Sequence, residues 1–147
     1  MMGAMPMATN GEQIREVLAT YRRIAVVGLS DDPSRPSYDV AAYLQRQGYE
    51  IFPVNPTLKG QTVLGREVYG SLREVPRPVE IVDVFRRSEF VPAVVDDALA
   101  AGAKVIWTQL GVRHAEALRR ASEAGVTVVE DRCTKVEHAR LGVGRVG

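Results

Sequence analysis

Five short apolar runs alternate with helical segments along this chain, and this order of elements constrains the fold more than any other feature. The runs occupy residues 24–29, 50–54, 79–85, 104–109 and 126–130. Runs of this length and composition are typical of strands that are buried on both faces of a parallel sheet. The sequence therefore predicts five main strands, which we number one to five in chain order.

The segments between the strands predict helices over residues 10–21, 38–47, 89–101, 114–124 and 133–141, and Ser71 is placed to cap a brief helix ending near residue 76. Gly48, Gly102 and Gly125 follow three of these helices, where glycine commonly ends a helix. Alternating strands and helices predict an α/β fold, a three-layer α/β/α arrangement around a doubly wound parallel five-stranded sheet. The predicted strand order is 3-2-1-4-5, with a ligand site outside the carboxyl ends of strands 1 and 4.

The 147 residues predict a single domain, with disorder over 1–9, an N-terminal helix over 10–21 and the α/β core over 22–141. A net charge of +1 gives no reason to expect nucleic acid or a membrane as partner. The first ten residues lack the basic and apolar blocks of a signal peptide, and one cysteine cannot form an internal disulfide. We therefore expect a cytoplasmic protein.

The loop after the first strand has the composition of an anion-binding loop. It contains Gly28 and several polar residues and leads into a helix, so backbone N–H groups and the helix dipole converge there. Ser37 is predicted to cap that helix, and Arg35 is placed to contact a phosphate. Gly28 stands alone, so the loop lacks the G-x-G-x-x-G motif of dinucleotide-binding proteins.

The loop after the second strand also argues against NAD, because it lacks the acidic residue that would hold the ribose hydroxyls. Instead it offers Asn55, which can hydrogen-bond a ribose or a base, and Lys59, which can face a phosphate on the ribose. A ribose phosphate occurs in both coenzyme A and NADP. This loop alone leaves those two ligands open.

The third and fourth strands end in residues that can line a ligand path. Phe85 and Arg86 lie where a ligand's adenine or its linker would cross, since arginine can stack on a base or pair with a phosphate. Gln109 offers a donor and an acceptor, and Gly111 lets a backbone approach closely. Trp107 should alternate away from Gln109 and join the core.

The remaining reactive side chains give weaker indications. Cys133 ends the fifth strand beside Arg132, where a buried inert thiol is the ordinary interpretation and a lowered pKa the alternative. His114 is predicted to start a helix and His138 to lie at the surface. No Cys/His spacing matches a zinc site, so we expect no metal.

No catalytic motif is present in the sequence: there is no G-x-S-x-G elbow, no P-loop and no evident nucleophile–base pair. Four carboxylates near the strand ends are interpreted as loop caps and solvated residues. They are Asp31, Asp32, Glu130 and Asp131. The pattern indicates a ligand site without catalytic groups.

Taken together, the motifs resemble those of the small CoA-binding domain family, which is similar to the first domain of the succinyl-CoA synthetase α subunit. They are Gly-Leu-Ser at 28–30, Arg-Pro-Ser-Tyr at 35–38, Pro-Val-Asn-Pro at 53–56 with Lys-Gly at 59–60, Asp-Val-Phe-Arg at 83–86, Trp-Thr-Gln-Leu-Gly at 107–111 and Asp-Arg-Cys at 131–133. Each motif is weak alone. In this order, over residues 21–141, they are specific.

The resemblance implies a Rossmann-like fold that holds coenzyme A across the strand ends. The residues implied for the pyrophosphate are Gly28, Ser30, Arg35, Ser37 and Tyr38. Those implied for the adenosine 3′-phosphate end are Asn55, Pro56 and Lys59. Those implied for the adenine and pantetheine, in no fixed order, are Phe85, Arg86, Gln109 and Gly111, with Cys133 near the thiol end.

The leading hypothesis is thus a non-catalytic protein that binds CoA or an acyl-CoA and forms a homodimer. The alternatives are an NADP-linked oxidoreductase, a CoA-binding subunit of an acyl-CoA synthetase that acts with a separate partner, and an interaction protein that has lost the ligand. If the pantetheine arm runs toward the fourth and fifth strands, the CoA thiol could form a mixed disulfide with Cys133 under oxidising conditions.

Overall fold

The computed structural model describes residues 7–147. The strands are β1 (Arg23–Val27), β2 (Glu50–Val54), β3 (Thr62–Val63), β4 (Arg66–Glu67), β5 (Ile81–Val84), β6 (Val105–Thr108) and β7 (Thr127–Val129). The helices are α1 (Gly11–Thr20), α2 (Pro36–Arg46), α3 (Val91–Ala100), α4 (Ala115–Glu123) and α5 (Thr134–Arg140). The five predicted main strands are β1, β2, β5, β6 and β7, all parallel in one sheet, and β3 and β4 form a separate antiparallel hairpin.

Helices cover both faces of the main sheet. Along β1, Ile24 and Val26 join the core beneath α1, α2 and α5, whereas Ala25 and Val27 face α3 and α4. This alternation follows from the two-residue period of a strand, which sends successive side chains to opposite faces. The doubly wound, Rossmann-like, three-layer arrangement is confirmed.

The predicted strand order was wrong. The sheet has the order β2-β1-β5-β6-β7, so the third main strand lies beside the first, on the side away from the second. Tyr69 pairs along the outer edge of β2, where its N–H donates to the Pro53 carbonyl at 2.9 Å and its carbonyl accepts from the Asn55 N–H at 2.9 Å. Because that edge is occupied, β5 pairs with β1 instead, and the strand order reverses between β1 and β5.

One predicted helix cap was wrong, and a second was right in position only. Helix α2 begins at Pro36, with Arg35 in the capping position, because proline's fixed φ and missing N–H suit the first helical residue. Ser37 therefore lies inside the first turn and is buried. Ser71 occupies the predicted capping position before a single 3₁₀ turn at Leu72–Glu74, but its side chain makes no capping hydrogen bond.

Trp107 and His114 lie as predicted, whereas His138 does not. Trp107 is fully buried, and the His114 ring accepts a hydrogen bond from the N–H of Ala117 at 3.1 Å at the start of α4. His138 is 2% exposed and hydrogen-bonds the Tyr43 hydroxyl at 2.8 Å. It lies one turn after the buried Thr134, so it shares the inward face of α5 that packs against α2.

The start of the chain is described only from Met7 onward. The predicted disorder of residues 1–6 lies outside the described residues, whereas Met7 bridges to Val128 and Ala8 is buried. Among residues 7–147, no helix combines the length and apolar character needed to cross a membrane.

Candidate functional site

A cleft of about 690 Å³ opens at the carboxyl ends of β5 and β6, beside the first turns of α2. Most of its wall is apolar. The residues that line it are Pro36, Val40, Phe85, Arg86, Arg87, Ser88, Gln109, Leu110, Gly111, Val112 and Cys133. Five of these were predicted as ligand contacts from the sequence, and they come from the ends of three different strands.

The loop after β1 requires glycine at its first position. Gly28 has φ +90°, and a Cβ added there would lie 2.5 Å from the carbonyl oxygen of Phe85. The backbones that follow β1 and β5 therefore touch at the point where the strand order reverses. Gly28 is needed for this contact between two loops, whether or not a ligand is present.

Several polar groups of this loop bind one another. The Ser30 N–H donates to the Ser37 hydroxyl at 3.0 Å, and the Ser30 hydroxyl accepts from the Asp32 N–H at 3.0 Å. The Asp32 carboxylate in turn accepts from the Ser34 N–H at 2.9 Å, and the hydrogen bonds from Ser34 lower the pKa of Asp32. Fewer N–H groups thus point outward than the sequence suggests.

Arg35 is the positive group nearest the start of α2. Its side chain is exposed, and its guanidinium lies 3.9 Å from the Asp32 carboxylate, which is long for an ion pair. Tyr38, in the first turn of the helix, is half-buried against the core. Arg35 can therefore turn toward an anion at the helix N-terminus, whereas Tyr38 is held by packing.

The loop after β2 uses its predicted ligand contacts within the protein. The Asn55 amide donates to the Leu29 carbonyl at 3.0 Å, and its oxygen accepts from the Thr57 N–H at 3.0 Å. Lys59 pairs with Glu74, with 2.9 Å between Nζ and Oε2, and the hydrogen bond from Lys59 lowers the pKa of the Glu74 carboxyl. Asn55 ties the first two loops together, and Lys59 has a partner before any ligand arrives.

A second, smaller cleft of about 120 Å³ lies beside the first. Pro56, Ser71 and Phe90 are among the residues around it, and Arg86 borders both clefts. The Arg86 guanidinium lies 4.2 Å from the centre of the Phe90 ring, a cation–π contact that holds the side chain between the two spaces.

The cleft floor covers a buried polar cluster that the sequence analysis did not identify. Asp83 of β5 is fully buried, and burial raises the pKa of its carboxyl to about 7. It contacts Gln109, after β6, and Thr134, at the start of α5. The available signal was the acidic residue that lies between two valines in the middle of the apolar run 79–85, where a charge is costly unless it is hydrogen-bonded.

Three of the four carboxylates near the strand ends accept a hydrogen bond from a backbone N–H, as expected for loop caps. Besides Asp32, the Glu130 carboxylate accepts from the His114 N–H at 3.2 Å, and the Asp131 carboxylate accepts from the Gly111 N–H at 2.6 Å. The bond from Gly111 and then that from Arg113 lower the pKa of Asp131. Gly111, with φ +81° and open space around it, is held at the cleft rim by this contact.

Cys133 lies in the cleft wall at the start of α5 and is half-buried. Leu110, which was not among the predicted ligand contacts, projects at the rim with 67% of its surface exposed. Within the part of the chain that the structure describes, no group of three or more His, Cys, Asp or Glu side chains is placed to hold a metal ion.

Comparison with known proteins identifies the family. The sequence profile of a family described as "CoA binding domain" matches residues 22–139. This chain belongs to the CoA-binding domain family. The motifs at the strand ends had indicated the same family, and the match extends over the whole α/β core.

Relatives of this CoA-binding domain fall into two groups. An uncharacterized protein of Bacillus subtilis, YneT, is 47% identical over 127 residues, which cover 86% of this chain and 93% of that protein. A solved structure of a hypothetical protein from Pyrococcus horikoshii has a TM-score of 0.87 and 39% identity, and covers 96% of this chain and 99% of its own. These relatives share the size of this domain.

The second group consists of longer proteins. The α subunit of an ADP-forming acetate–CoA ligase (I) of Pyrococcus furiosus is 34% identical over 97 residues, which cover 62% of this chain. This chain spans about a fifth of that subunit's length, 21%. The similarity to a ligase that uses CoA agrees with the resemblance to succinyl-CoA synthetase that the motifs indicated.

Proposed function

We propose that this domain binds coenzyme A, or an acyl-CoA, across the carboxyl ends of its strands and does not itself catalyse a reaction. The observation that carries the proposal is the apolar cleft beside the point where the strand order reverses, where ligands of open α/β sheets bind. In a domain of the CoA-binding family, that cleft is the expected place for the cofactor.

On this proposal, the pyrophosphate of CoA binds at the start of α2. The helix N-terminus carries a partial positive charge, and Arg35 is exposed beside it with only a long contact to Asp32. A pyrophosphate there would replace that weak contact with a charge-assisted hydrogen bond. Gly28, Ser30, Ser37 and Tyr38 would shape the loop around it.

The adenosine end belongs in the smaller cleft. Pro56 and Phe90 offer apolar surfaces for adenine, and Arg86 offers a flat cation beside them. Lys59 would contact the 3′-phosphate by giving up its exposed pair with Glu74. Because exposed ion pairs are worth only about 0–1 kcal/mol, this exchange costs little.

The pantetheine arm belongs in the larger cleft, where an aliphatic chain with a few polar groups matches a wall that is mostly apolar. Phe85, Gln109 and Gly111 would lie along it, with Cys133 toward the thiol end. No aspartate, glutamate or histidine lines this cleft among the described residues, so it holds no general base beside the thiol. This composition supports binding rather than catalysis.

Isothermal titration calorimetry with CoA, dephospho-CoA, NADP and NAD tests the proposal. CoA should bind more tightly than dephospho-CoA, which lacks the 3′-phosphate. Lys59→Ala should weaken the binding of CoA about fivefold and leave the affinity for dephospho-CoA unchanged, because an exposed ion pair is worth up to about 1 kcal/mol. Lys104→Ala is the matched control, since Lys104 is an exposed lysine at the opposite, amino end of β6.

Tight binding of NADP without binding of CoA would overturn the proposal. The non-catalytic part is tested by mixing the protein with acetate, ATP and CoA and measuring acetyl-CoA. No thioester should form, and turnover by the purified chain would contradict this part.

The second candidate function is a CoA-binding subunit of an acyl-CoA synthetase, which the similarity to the acetate–CoA ligase α subunit favours. Thioester formation that depends on an added ATP-binding partner would support it.

We propose a cytoplasmic location because the half-buried Cys133 is the chain's single thiol and has no partner for a disulfide. Light scattering after gel filtration checks the expected homodimer.

A further inference from the structure

The buried cluster beneath the cleft joins three elements through one carboxylate. Gln109 Nε2 donates to Asp83 Oδ1 and also to the Thr134 hydroxyl, the latter at 3.1 Å. The Thr134 hydroxyl donates to Asp83 Oδ2 at 3.0 Å. Asp83 and Thr134 are fully buried and Gln109 is 5% exposed, so water does not compete for these bonds.

Above the pKa of about 7, where Asp83 is ionised, the chemistry of the three groups allows the Gln109 amide one orientation. An ionised carboxylate only accepts hydrogen bonds, and the single proton of Thr134 is used on Asp83. Both inward contacts of Gln109 must therefore come from its nitrogen, which has two N–H groups. Rotating the amide by half a turn would place its oxygen against two acceptors and lose both bonds.

The Gln109 carbonyl oxygen is consequently directed away from the cluster. Among the described residues, nothing donates a hydrogen bond to it, although no fully buried side-chain nitrogen or oxygen in that part of the chain lacks a partner. The oxygen must therefore reach the surface, and Gln109 lines the larger cleft. It presents an acceptor in a wall formed mainly by Phe85, Leu110 and Val112.

We propose that Asp83 and Thr134 are positioning residues that hold the Gln109 carbonyl toward the cleft, where it accepts a hydrogen bond from the ligand and so selects for a donor at that point. This inference rests on the proposed function. Within CoA the donors are the amide and hydroxyl groups of the pantetheine arm and, in the adenosine part, the amino group of adenine and the ribose 2′-hydroxyl. The pantetheine arm is the source favoured by the geometry, because Gln109 lines the larger cleft and not the smaller one.

Calorimetry with two probes, CoA and adenosine 3′,5′-bisphosphate, separates the sources, because the bisphosphate keeps adenine and lacks the pantetheine arm. At pH 8, Gln109→Met should weaken the binding of CoA about five- to tenfold, the usual effect of one hydrogen bond, and leave the affinity for the bisphosphate unchanged. Gln47→Met, at the far end of α2, is the matched control and should change neither.

Each outcome of these titrations has a distinct meaning. If Gln109→Met weakens the binding of both probes, the acceptor role is still supported but the donor lies in the adenosine part of CoA. Weakening of neither overturns the inference and leaves the proposed function intact, since the wild type still binds CoA. Failure of the wild type to bind either probe overturns the proposed function and the ligand part of this inference together.

The positioning role has its own readouts. Thr134→Val should weaken CoA about two- to threefold by leaving Gln109 with one inward partner, and Thr134→Ser should restore wild-type affinity because it keeps the hydroxyl. Equal losses in the two variants would contradict the role.

Side-chain amide exchange by NMR at pH 8 tests the orientation in the unliganded wild type, and so does not depend on any variant folding. The Gln109 Nε2 protons should exchange with water far more slowly than those of the exposed Gln61. Equal rates would overturn the orientation.

Discussion

Replacing Asp83 with asparagine should change how the stability of the fold depends on pH. Burial raises the pKa of the Asp83 carboxyl from 3.8 to about 7, against the opposing effect of hydrogen bonds from Gln109 and Thr134. Between these values the unfolded chain has released a proton that the folded protein still holds. The free energy of unfolding of the wild type therefore falls as pH rises through this window and levels off above it.

The size of the effect follows from the separation of the two pKa values. Each pH unit within the window is worth about 1.4 kcal/mol, so the whole window corresponds to roughly 4 kcal/mol. The Asp83→Asn variant has no proton to lose at this position. The difference in free energy of unfolding, variant minus wild type, should therefore rise by roughly 4 kcal/mol between pH 4 and pH 8.

Urea unfolding at a series of pH values measures this difference, with the fluorescence of the single, fully buried Trp107 as the signal. Subtracting the wild-type curve removes the contributions of the other carboxyls. Asp32→Asn serves as a control of opposite sign, because hydrogen bonds from Ser34 lower the pKa of Asp32 and the wild type then loses stability as pH falls below about 4. A flat difference curve for Asp83→Asn between pH 5 and 8 would refute the desolvation argument.

Three further predictions concern the loops and the thiol. Gly28→Ala should lower the free energy of unfolding by roughly 1–3 kcal/mol more than Gly125→Ala in urea titrations, because both positions have positive φ but only Gly28 also meets a backbone oxygen. Glu74→Gln should tighten CoA about two- to fivefold by calorimetry, without affecting dephospho-CoA, because it removes the charge that competes for Lys59. CoA disulfide should transfer one CoA to Cys133 and release one CoA thiol, seen as a single adduct by intact mass and absent in Cys133→Ser.

Contrary results would be equally specific. Equal destabilisation at the two glycines would mean that the loops after β1 and β5 do not touch. If Glu74→Gln raised the affinity for dephospho-CoA as much as that for CoA, Lys59 would not contact the 3′-phosphate. If treatment with CoA disulfide left the mass of the wild type unchanged, the Cys133 thiol would not lie within reach of the ligand.

Local sequence patterns determined much of this protein. The alternation of apolar runs with helical segments, and the glycines that end the helices, gave the five main strands and the doubly wound arrangement because both depend on neighbours a few residues apart. The same order placed the candidate ligand contacts at strand ends, and five of them line one cleft. The strand-end motifs then indicated the family that the profile match confirms.

The details that depend on contacts between distant segments were decided only by the tertiary structure. The third main strand pairs beside β1 because Tyr69 covers the edge of β2, which no pattern within the strands reports. His138 is buried because α5 packs against α2, and Lys59 is paired because the chain brings Glu74 back to it. The orientation of Gln109 depends on Asp83, 26 residues earlier, and on Thr134, 25 residues later. Burial and hydrogen-bond partners at such separations depend on the packed fold as a whole, so they could not be read from local periodicity.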